Sequence, residues 1–347
     1  MRHWLTELNE LLGAGREVVR VVVSAVHGSA PREAGACLLV HRDSVLGTIG
    51  GGTLEFQAVR LARELLEREP SPPLIQRFSL GASLGQCCGG IVELWWERFD
   101  PSERPFVARA ARHLASGEPV LLAAAAAGRA LLSSDGAYLE TQGLAVPAEL
   151  IAPERAALSA EAPVRCLGQG AQAVLLERLA RDHTPLWLFG AGHVGRALVA
   201  VLRDLPFDIH WVDSRADAFP SGVPDNVTPR HAEDPAAVAA EAPAGAWYLV
   251  LTHSHEQDFE ICRAVLARDD IGFLGLIGSR PKSVRFAQRL HRAGIPVERI
   301  DAMTCPIGIA GIRSKLPAAI AVSVAAQLLQ LREQGAVGAV RTRRVVS

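Results

Sequence analysis

The chain has 347 residues, of which 49% are hydrophobic and 21% are charged. This composition is typical of a globular protein with a sizeable core, and it excludes disorder for most of the chain. The 36 basic and 37 acidic side chains give a net charge of −1 (36 − 37). Proteins that bind nucleic acid or anionic membranes usually carry a basic excess, so we expect neither kind of partner.

Neither an export signal nor a membrane span is evident in the sequence. The longest apolar run, residues 120–127, is too short to cross a bilayer. The first 15 residues predict an amphipathic helix and lack the basic start and small-residue cleavage site of a signal peptide. The six cysteines show no CxxC spacing, which argues against a disulfide framework and a structural zinc site. We therefore expect a cytoplasmic protein.

Residues 1–180 predict an N-terminal domain of the α/β or α+β class. Apolar residues at helical spacing indicate a helix over residues 53–68, for which Thr53 is a candidate N-cap. Beyond residue 100 the pattern is weaker, and we treat it as a continuation of the same domain. The predicted strands are residues 18–24, 36–41, 74–78, 91–96 and 174–179, with a strand pair within 120–132 and a helix at 106–116.

From residue 181 onward, strands alternate with helices, which predicts a C-terminal Rossmann-like domain with a parallel sheet. We place this domain at residues 181–335 and treat residues 336–347 as a mobile basic tail. The predicted strands are residues 186–189, 208–212, 247–251 and 273–277, and the predicted helices are residues 196–204 and an Ala-rich stretch that ends at Arg332.

A GxGxxG pattern formed by Gly190, Gly192 and Gly195 lies between the first of these strands and its helix, and it contains His193. The next strand ends at Asp213. In dinucleotide-binding folds the three glycines allow a tight turn, the approach of a phosphate and close helix packing, and the acidic residue meets a ribose hydroxyl. We therefore predict a nucleotide or phosphate site here. A Rossmann fold that has lost its nucleotide stays open as the alternative.

Polar residues also follow the other two strands, at the edge where open α/β sheets bind ligands. His253, His255 and Asp258 are candidates for a metal site or for the wall of a polar pocket. Arg280 and Lys282 follow the last strand and supply positive charge for a phosphate or an acidic partner, unless they form a solvated basic turn.

Three consecutive glycines, Gly50, Gly51 and Gly52, precede the helix of the first domain, with Glu55 in its first turn. Successive glycine amides can form a concave site for an oxyanion, so we predict an anion-binding loop here.

An adjacent thiol pair, Cys87 and Cys88, follows Gln86 and has glycines on both sides. A glycine-framed pair favours thiols that a ligand must approach, such as contacts to a soft metal or a sulfur relay. Two small residues that merely fill space beside a strand are the alternative.

Five motifs occur in the order found in the XdhC/CoxI family: residues 28–32, 47–52, 85–90, 190–194 and 307–315. The chain resembles this family over residues 7–332, with little contribution from residues 100–170. The resemblance implies a chaperone that binds the molybdenum cofactor (molybdopterin), aids its sulfuration by a cysteine desulfurase and delivers it to xanthine dehydrogenase. It also implies that the site residues named above bind the cofactor, with Cys87 and Cys88 as candidate molybdenum contacts.

Two other interpretations stay open. One is an NAD(P)-dependent oxidoreductase in which His193 or His253 donates a proton, and the other is an adaptor with a vestigial Rossmann loop. The sequence does not decide whether the Rossmann loop binds NAD(P) or another nucleotide, or whether the protein is a homo-oligomer.

Overall fold

The computed structural model describes residues 3–81, 89–145, 152, 158, 162–180 and 182–344, with backbone alone at residues 171 and 336–344. The chain separates into two compact units, an N-terminal unit (Arg2–Asp182) and a C-terminal unit (His183–Ser347). Among the described residues, no helix combines the length and the apolar character needed to cross a lipid bilayer.

The described part of the N-terminal unit contains two five-stranded antiparallel sheets, with strand orders β3-β2-β1-β5-β4 and β8-β7-β6-β10-β9. The strands of the first sheet are β1 (Val18–His27), β2 (Cys37–Val40), β3 (Val45–Gly47), β4 (Leu74–Ser79) and β5 (Ile91–Phe99). Those of the second sheet are β6 (Val120–Ala125), β7 (Gly128–Ser133), β8 (Tyr138–Gln142), β9 (Val164–Leu167) and β10 (Val174–Leu179). The helices are α1 (Trp4–Gly13), α2 (Gly52–Glu67) and α3 (Arg104–Ser116), with short 3-10 helices at Pro101–Glu103 and Gly170–Gln172.

Strand β1 is buried on both faces, which explains why its sequence is almost continuously apolar. Because successive side chains of a strand point to opposite faces, Val19, Val21 and Val23 pack against α2. Val22 faces the other way and belongs to a cluster with Trp95 and residues of the second sheet. The two sheets of this unit therefore pack on each other through one face of β1.

That shared face also contains a buried ionic cluster. Arg20 is fully buried, donates to Glu97 at 3.1 Å and pairs with Glu177, while Arg129 pairs with Glu97 at 3.2 Å and with Glu103. Burial alone would lower the pKa of Arg20, but the charges of Glu177 and Glu97 raise it above its ordinary value. Because its partners lie on β5 and β10, Arg20 joins the two sheets through charge as well as through apolar contact.

The C-terminal unit is built on one parallel sheet with strand order β13-β12-β11-β14-β15. Its strands are β11 (Thr184–Phe189), β12 (Phe207–Asp213), β13 (Val227–His231), β14 (Trp247–Val250) and β15 (Phe273–Leu276). Its helices are α4 (His193–Leu202), α5 (Pro235–Val238), α6 (His255–Leu266), α7 (Arg280–Arg292), α8 (Val297–Asp301) and α9 (Pro317–Arg344), with 3-10 helices at Ala216–Ala218 and Ala239–Glu241. The predicted mixed α/β fold with a Rossmann-like parallel sheet is therefore confirmed.

Helices cover both faces of the parallel sheet. On one face α4 and α9 pack together through Leu198, Leu202, Val324 and Leu328. On the other face α6 and α7 contribute Phe259, Ile261, Phe286 and Leu290 to a second core. Both faces being covered is the arrangement expected for a parallel sheet.

Two local predictions are wrong. Helix α2 begins at Gly52 with Gly51 as its N-cap, so Thr53 lies inside the helix and does not cap it. Helix α9 continues to Arg344 instead of ending at Arg332. The stretch after Arg332 contains no proline, so no residue there forces the helix to end.

Candidate functional site

A cleft of about 640 Å³ lies at the carboxyl ends of the strands of the parallel sheet. Its walls are formed by the 190–196 loop and helix start, by Arg215 after β12, by Thr252 and His253 after β14, and by Ile277 after β15. From β11 the sheet continues to one side with β12 and β13 and to the other side with β14 and β15, so the strand order switches direction between the neighbours β11 and β14. Open α/β sheets bind their ligands at this kind of switch point.

Steric contacts require glycine at two positions of the loop. Gly190 has a φ of 116°, and a Cβ there would lie 2.3 Å from the carbonyl oxygen of Leu251. A Cβ at Gly195 would lie 2.1 Å from the carbonyl oxygen of Gly190. In contrast, a Cβ at Gly192 would have no heavy-atom neighbour within 4 Å. The loop is thus tightly packed at both ends and open to the cleft at its centre.

The start of α4 is suited to an anion. Gly192 is the N-cap and has no side chain, and the first turn contains no acidic residue. The first amide groups of a helix have no partner within the helix and carry a partial positive charge. Gly192 and His193 are exposed, so the first turn of α4 presents its N–H groups to solvent.

Arg196 adds a cation one turn into the same helix. Its Nη2 donates to the carbonyl oxygen of Ala218 at 2.6 Å, and its Nε donates to that of Ala191 at 3.3 Å. The side chain lines the cleft, and these two bonds hold its guanidinium group in place. Sequence reasoning did not single out Arg196, although its place directly after the fingerprint could have indicated it.

Asp213 does not have the environment predicted for a ribose acceptor. Its carboxylate accepts hydrogen bonds from the Ala191 amide at 2.6 Å and from the Arg215 guanidinium at 2.9 and 3.0 Å. Burial raises the pKa of Asp213, but the hydrogen bonds from Arg215 and Ala191 outweigh that effect and lower it. A ribose hydroxyl would have to displace Arg215 to reach this carboxylate.

The ammonium group of Lys282 is also bound by groups of the protein itself. Its Nζ donates to Asp258 Oδ2 at 2.6 Å and to the carbonyl oxygen of Ile277 at 2.9 Å, and its side chain is only 8% exposed. Asp258 Oδ1 accepts from the amide and the hydroxyl of Thr252 at 3.0 and 2.7 Å. The prediction that Lys282 is a cation available for phosphate is therefore wrong, because its ammonium group neutralises a buried carboxylate.

The other strand-end residues divide into two groups. His253 is exposed and lines the cleft, whereas Arg280 is exposed at the first position of α7 and is not part of the cleft wall. In the described part of the chain, no three His, Cys, Asp or Glu side chains are grouped so that they could hold a metal ion. The metal site considered for His253, His255 and Asp258 is therefore not formed.

The triglycine loop of the N-terminal unit is occupied by the chain itself. Glu55 Oε2 accepts from the Thr48 hydroxyl at 2.7 Å and from the amides of Ile49 and Gly51 at 3.0 Å each. Burial raises the pKa of Glu55, but these hydrogen bonds outweigh it and lower the pKa. The carboxylate of Glu55 thus takes the place of the external oxyanion predicted for the amides around Gly50, Gly51 and Gly52.

Comparison with known proteins identifies the family. Residues 186–328 match the model of the XdhC Rossmann domain, and residues 11–79 match the model of the XdhC and CoxI family. The chain belongs to the XdhC and CoxI family. This confirms the resemblance drawn from the five motifs.

Relatives of this XdhC-family chain include two curated bacterial proteins. It is 25% identical to a probable xanthine dehydrogenase subunit of Bacillus subtilis (strain 168) over 97% of this chain and 100% of that protein. It is 33% identical to "Uncharacterized protein YqeB" of Escherichia coli (strain K12) over 42% of this chain, and the match spans only 27% of that protein's length. A crystal structure of a xanthine dehydrogenase from Bacillus halodurans has the same fold, with a TM-score of 0.75 and 22% identity over 95% of this chain and 96% of that one.

Three loops that carry XdhC/CoxI motifs meet at one end of the first sheet. The amide of Gly90 donates to the carbonyl oxygen of Ser29 at 3.1 Å. A Cβ at Gly50 would lie 2.3 Å from Cβ of Pro31, and Arg32 Nη1 donates to the Thr48 carbonyl oxygen at 3.4 Å. The loops after β1, after β3 and before β5 are therefore in direct contact.

Gln86, Cys87 and Cys88, which form the predicted thiol site, lie outside the described residues. Their proposed contact with molybdenum stays a prediction. Of the four described cysteines, Cys262 is fully buried, and burial raises the pKa of its thiol far above the ordinary value. A thiol in that environment is inert, so Cys262 has a structural role.

Proposed function

We propose that this chain is an accessory protein of xanthine dehydrogenase that binds the molybdenum cofactor as cargo and delivers it to the enzyme. Family membership supports the accessory role, and so does full-length similarity to a protein called a probable xanthine dehydrogenase subunit. Within this proposal a cysteine desulfurase sulfurates the cofactor before delivery, and Cys87 and Cys88 contact its molybdenum.

The first turn of α4, whose N-cap Gly192 has no side chain, is the candidate site for the phosphate of the cofactor. Molybdopterin bears a phosphate group, and the start of α4 offers exposed amides, a glycine without a steric barrier and the fixed guanidinium of Arg196. Backbone amides at a helix start, together with a cation, are a common means of holding a phosphate. The cleft of about 640 Å³ also falls within the usual range for small-molecule sites, about 300–1,000 Å³.

Gly192→Val tests this assignment with little risk to the fold. The new side chain would extend into the cleft and block the approach of a phosphate, while nothing in the structure stands in its way. Gly222→Val is the matched control, because Gly222 is also exposed and free of neighbours but does not line the cleft.

The measurement is molybdenum retained after anaerobic incubation with molybdopterin cofactor and gel filtration, read by elemental mass spectrometry. We expect wild type and Gly222→Val to retain the metal and Gly192→Val to lose most of it, because the valine side chain would keep the phosphate away from the amides of the first turn. Equal retention by all three proteins would remove the phosphate role from this loop.

The carrier proposal and the oxidoreductase interpretation differ in whether the protein turns over NAD(P)H. A carrier has no need of a hydride acceptor, so we expect no steady-state turnover of NAD(P)H with purines, aldehydes or hydroxy acids. Both His193 and His253 line the cleft and are exposed, which places them where a proton donor would act. Turnover that is abolished by His193→Ala or His253→Ala would replace the carrier proposal with an oxidoreductase.

A further inference from the structure

The segment after β12 contains an arginine whose position bears on ligand choice. In dinucleotide-binding folds the end of this strand lies beside the ribose of the nucleotide, and an acidic residue there accepts its 2′-hydroxyl. In this chain that acidic residue, Asp213, is only 4% exposed, and its two oxygens accept four hydrogen bonds from Ala191 and Arg215. No acceptor remains for a ribose hydroxyl.

Arg215 replaces Asp213 at the cleft surface. Its side chain is 45% exposed and lines the cleft, although Nε and Nη2 hold Asp213. Its third nitrogen, Nη1, makes no hydrogen bond to the described residues. The pairing with Asp213 fixes the plane of the guanidinium, so a hydrogen bond from Nη1 to a ligand in the cleft would carry little further entropic cost.

The charges around this position favour a second anionic group. Arg196 lies on the same wall and adds a second guanidinium, whereas Asp217 is exposed on that wall and partly offsets the positive charge. A phosphomonoester accepts charge-assisted hydrogen bonds from a guanidinium far better than a hydroxyl does.

We propose that Arg215 makes this cleft select a nucleotide with a phosphate on its ribose 2′-oxygen over one with a free 2′-hydroxyl. This inference rests on the proposed function in one respect, because it requires that the first turn of α4 binds a phosphate. It goes further by naming the class of nucleotide and the residue that selects it.

Titration calorimetry with three adenosine phosphates at fixed ionic strength tests the proposal. We expect adenosine 2′,5′-bisphosphate to bind about tenfold or more tightly than adenosine 5′-monophosphate, because one compound offers a phosphate to Arg215 and the other a hydroxyl. Adenosine 3′,5′-bisphosphate carries the same charge at a different oxygen and is expected to bind more weakly than the 2′,5′ isomer. Equal affinities, or no binding of any of the three, would contradict the proposal.

Variants then assign the preference to the residue. Arg215→Gln should reduce the ratio between the 2′,5′-bisphosphate and the monophosphate to nearly one, and Arg215→Lys should keep part of it because the charge remains. Arg203→Gln is the control, since Arg203 is exposed at the end of α4 and away from the cleft wall. A ratio that is the same in wild type and Arg215→Gln would overturn the assignment.

The outcome is separable from that of the proposed function. If molybdopterin retention depends on Gly192 while the nucleotides show no 2′-phosphate preference, the phosphate site at the start of α4 is supported and the role proposed for Arg215 is wrong. If retention is independent of Gly192 and the 2′-phosphate preference is found, the cleft is a nucleotide site and the cargo is held elsewhere.

Discussion

The buried pair between Lys282 and Asp258 offers the sharpest test of how the cleft is held in shape. The chain has only two lysines, Lys282 and Lys315, and one of them is buried. Lys282→Met keeps most of the apolar side chain and removes only the ammonium group. Asp258 then keeps its bonds from Thr252 but loses the charge that neutralises it, at a side-chain exposure of 1%.

Breaking one partner of a buried ion pair costs about 3–5 kcal/mol, which lowers the Tm of a unit of this size by roughly 6–20 °C. Differential scanning calorimetry of the full chain measures this shift. Lys315→Met is the matched control, because Lys315 is exposed and its loss should leave the Tm within about 2 °C.

The double variant Lys282→Met/Asp258→Asn separates charge from packing. It removes both charges and leaves an amide oxygen to accept from Thr252, so we expect it to recover most of the lost stability. A Tm for Lys282→Met that equals that of Lys315→Met would refute the reasoning. So would a double variant that is no more stable than Lys282→Met alone, since the penalty would then not come from an unpaired carboxylate.

Two further predictions concern pH. His210 stacks on Trp187 with ring centroids 4.6 Å apart, and burial together with the charge of Arg230 lowers its pKa, with Asp208 opposing. The unfolded chain therefore binds a proton at His210 more readily than the folded chain does, so His210 should lower the free energy of unfolding as the pH falls below about 6.5. Between pH 7.5 and 5.5, the Tm of His210→Phe should therefore fall less than the Tm of wild type. For Glu55, whose folded pKa is lowered, the stabilisation is present above its ordinary pKa of about 4.3 and is lost as the pH falls through the lower folded value. Glu55→Gln should therefore be less stable than wild type at pH 7 and approach it below pH 4, and parallel Tm curves for the two proteins would contradict this.

Features set by local sequence were predicted well. The fingerprint of the 190–195 loop depends on steric contacts between residues close in the chain, and Gly190 and Gly195 indeed have no room for a side chain. The positions of four of the five strands of the parallel sheet followed from buried apolar runs, because a parallel sheet covered on both faces leaves a continuous signal. The edge strand β13 was missed, because most of its side chains are exposed or only partly buried and it has no apolar run. In contrast, β8 has mostly exposed side chains and no apolar alternation, so it gave no such signal.

Which polar groups pair with each other could not be predicted. Lys282 and Asp258 are 24 residues apart, and Arg20 and Glu177 are 157 residues apart. A charged side chain looks the same in a sequence whether it faces a ligand or a buried partner. For this reason the sequence assigned Lys282 and Glu55 to external ligands, although the structure gives each an internal partner.

The central claim is that this chain carries a cofactor to another protein. Its most direct test is the activity of apo xanthine dehydrogenase after anaerobic addition of increasing amounts of the chain loaded with molybdenum cofactor, beside the same amounts of free cofactor. We expect activation that rises with the amount of loaded chain, exceeds that given by free cofactor and is lost with Gly192→Val. Activation no greater than that given by free cofactor would contradict the claim.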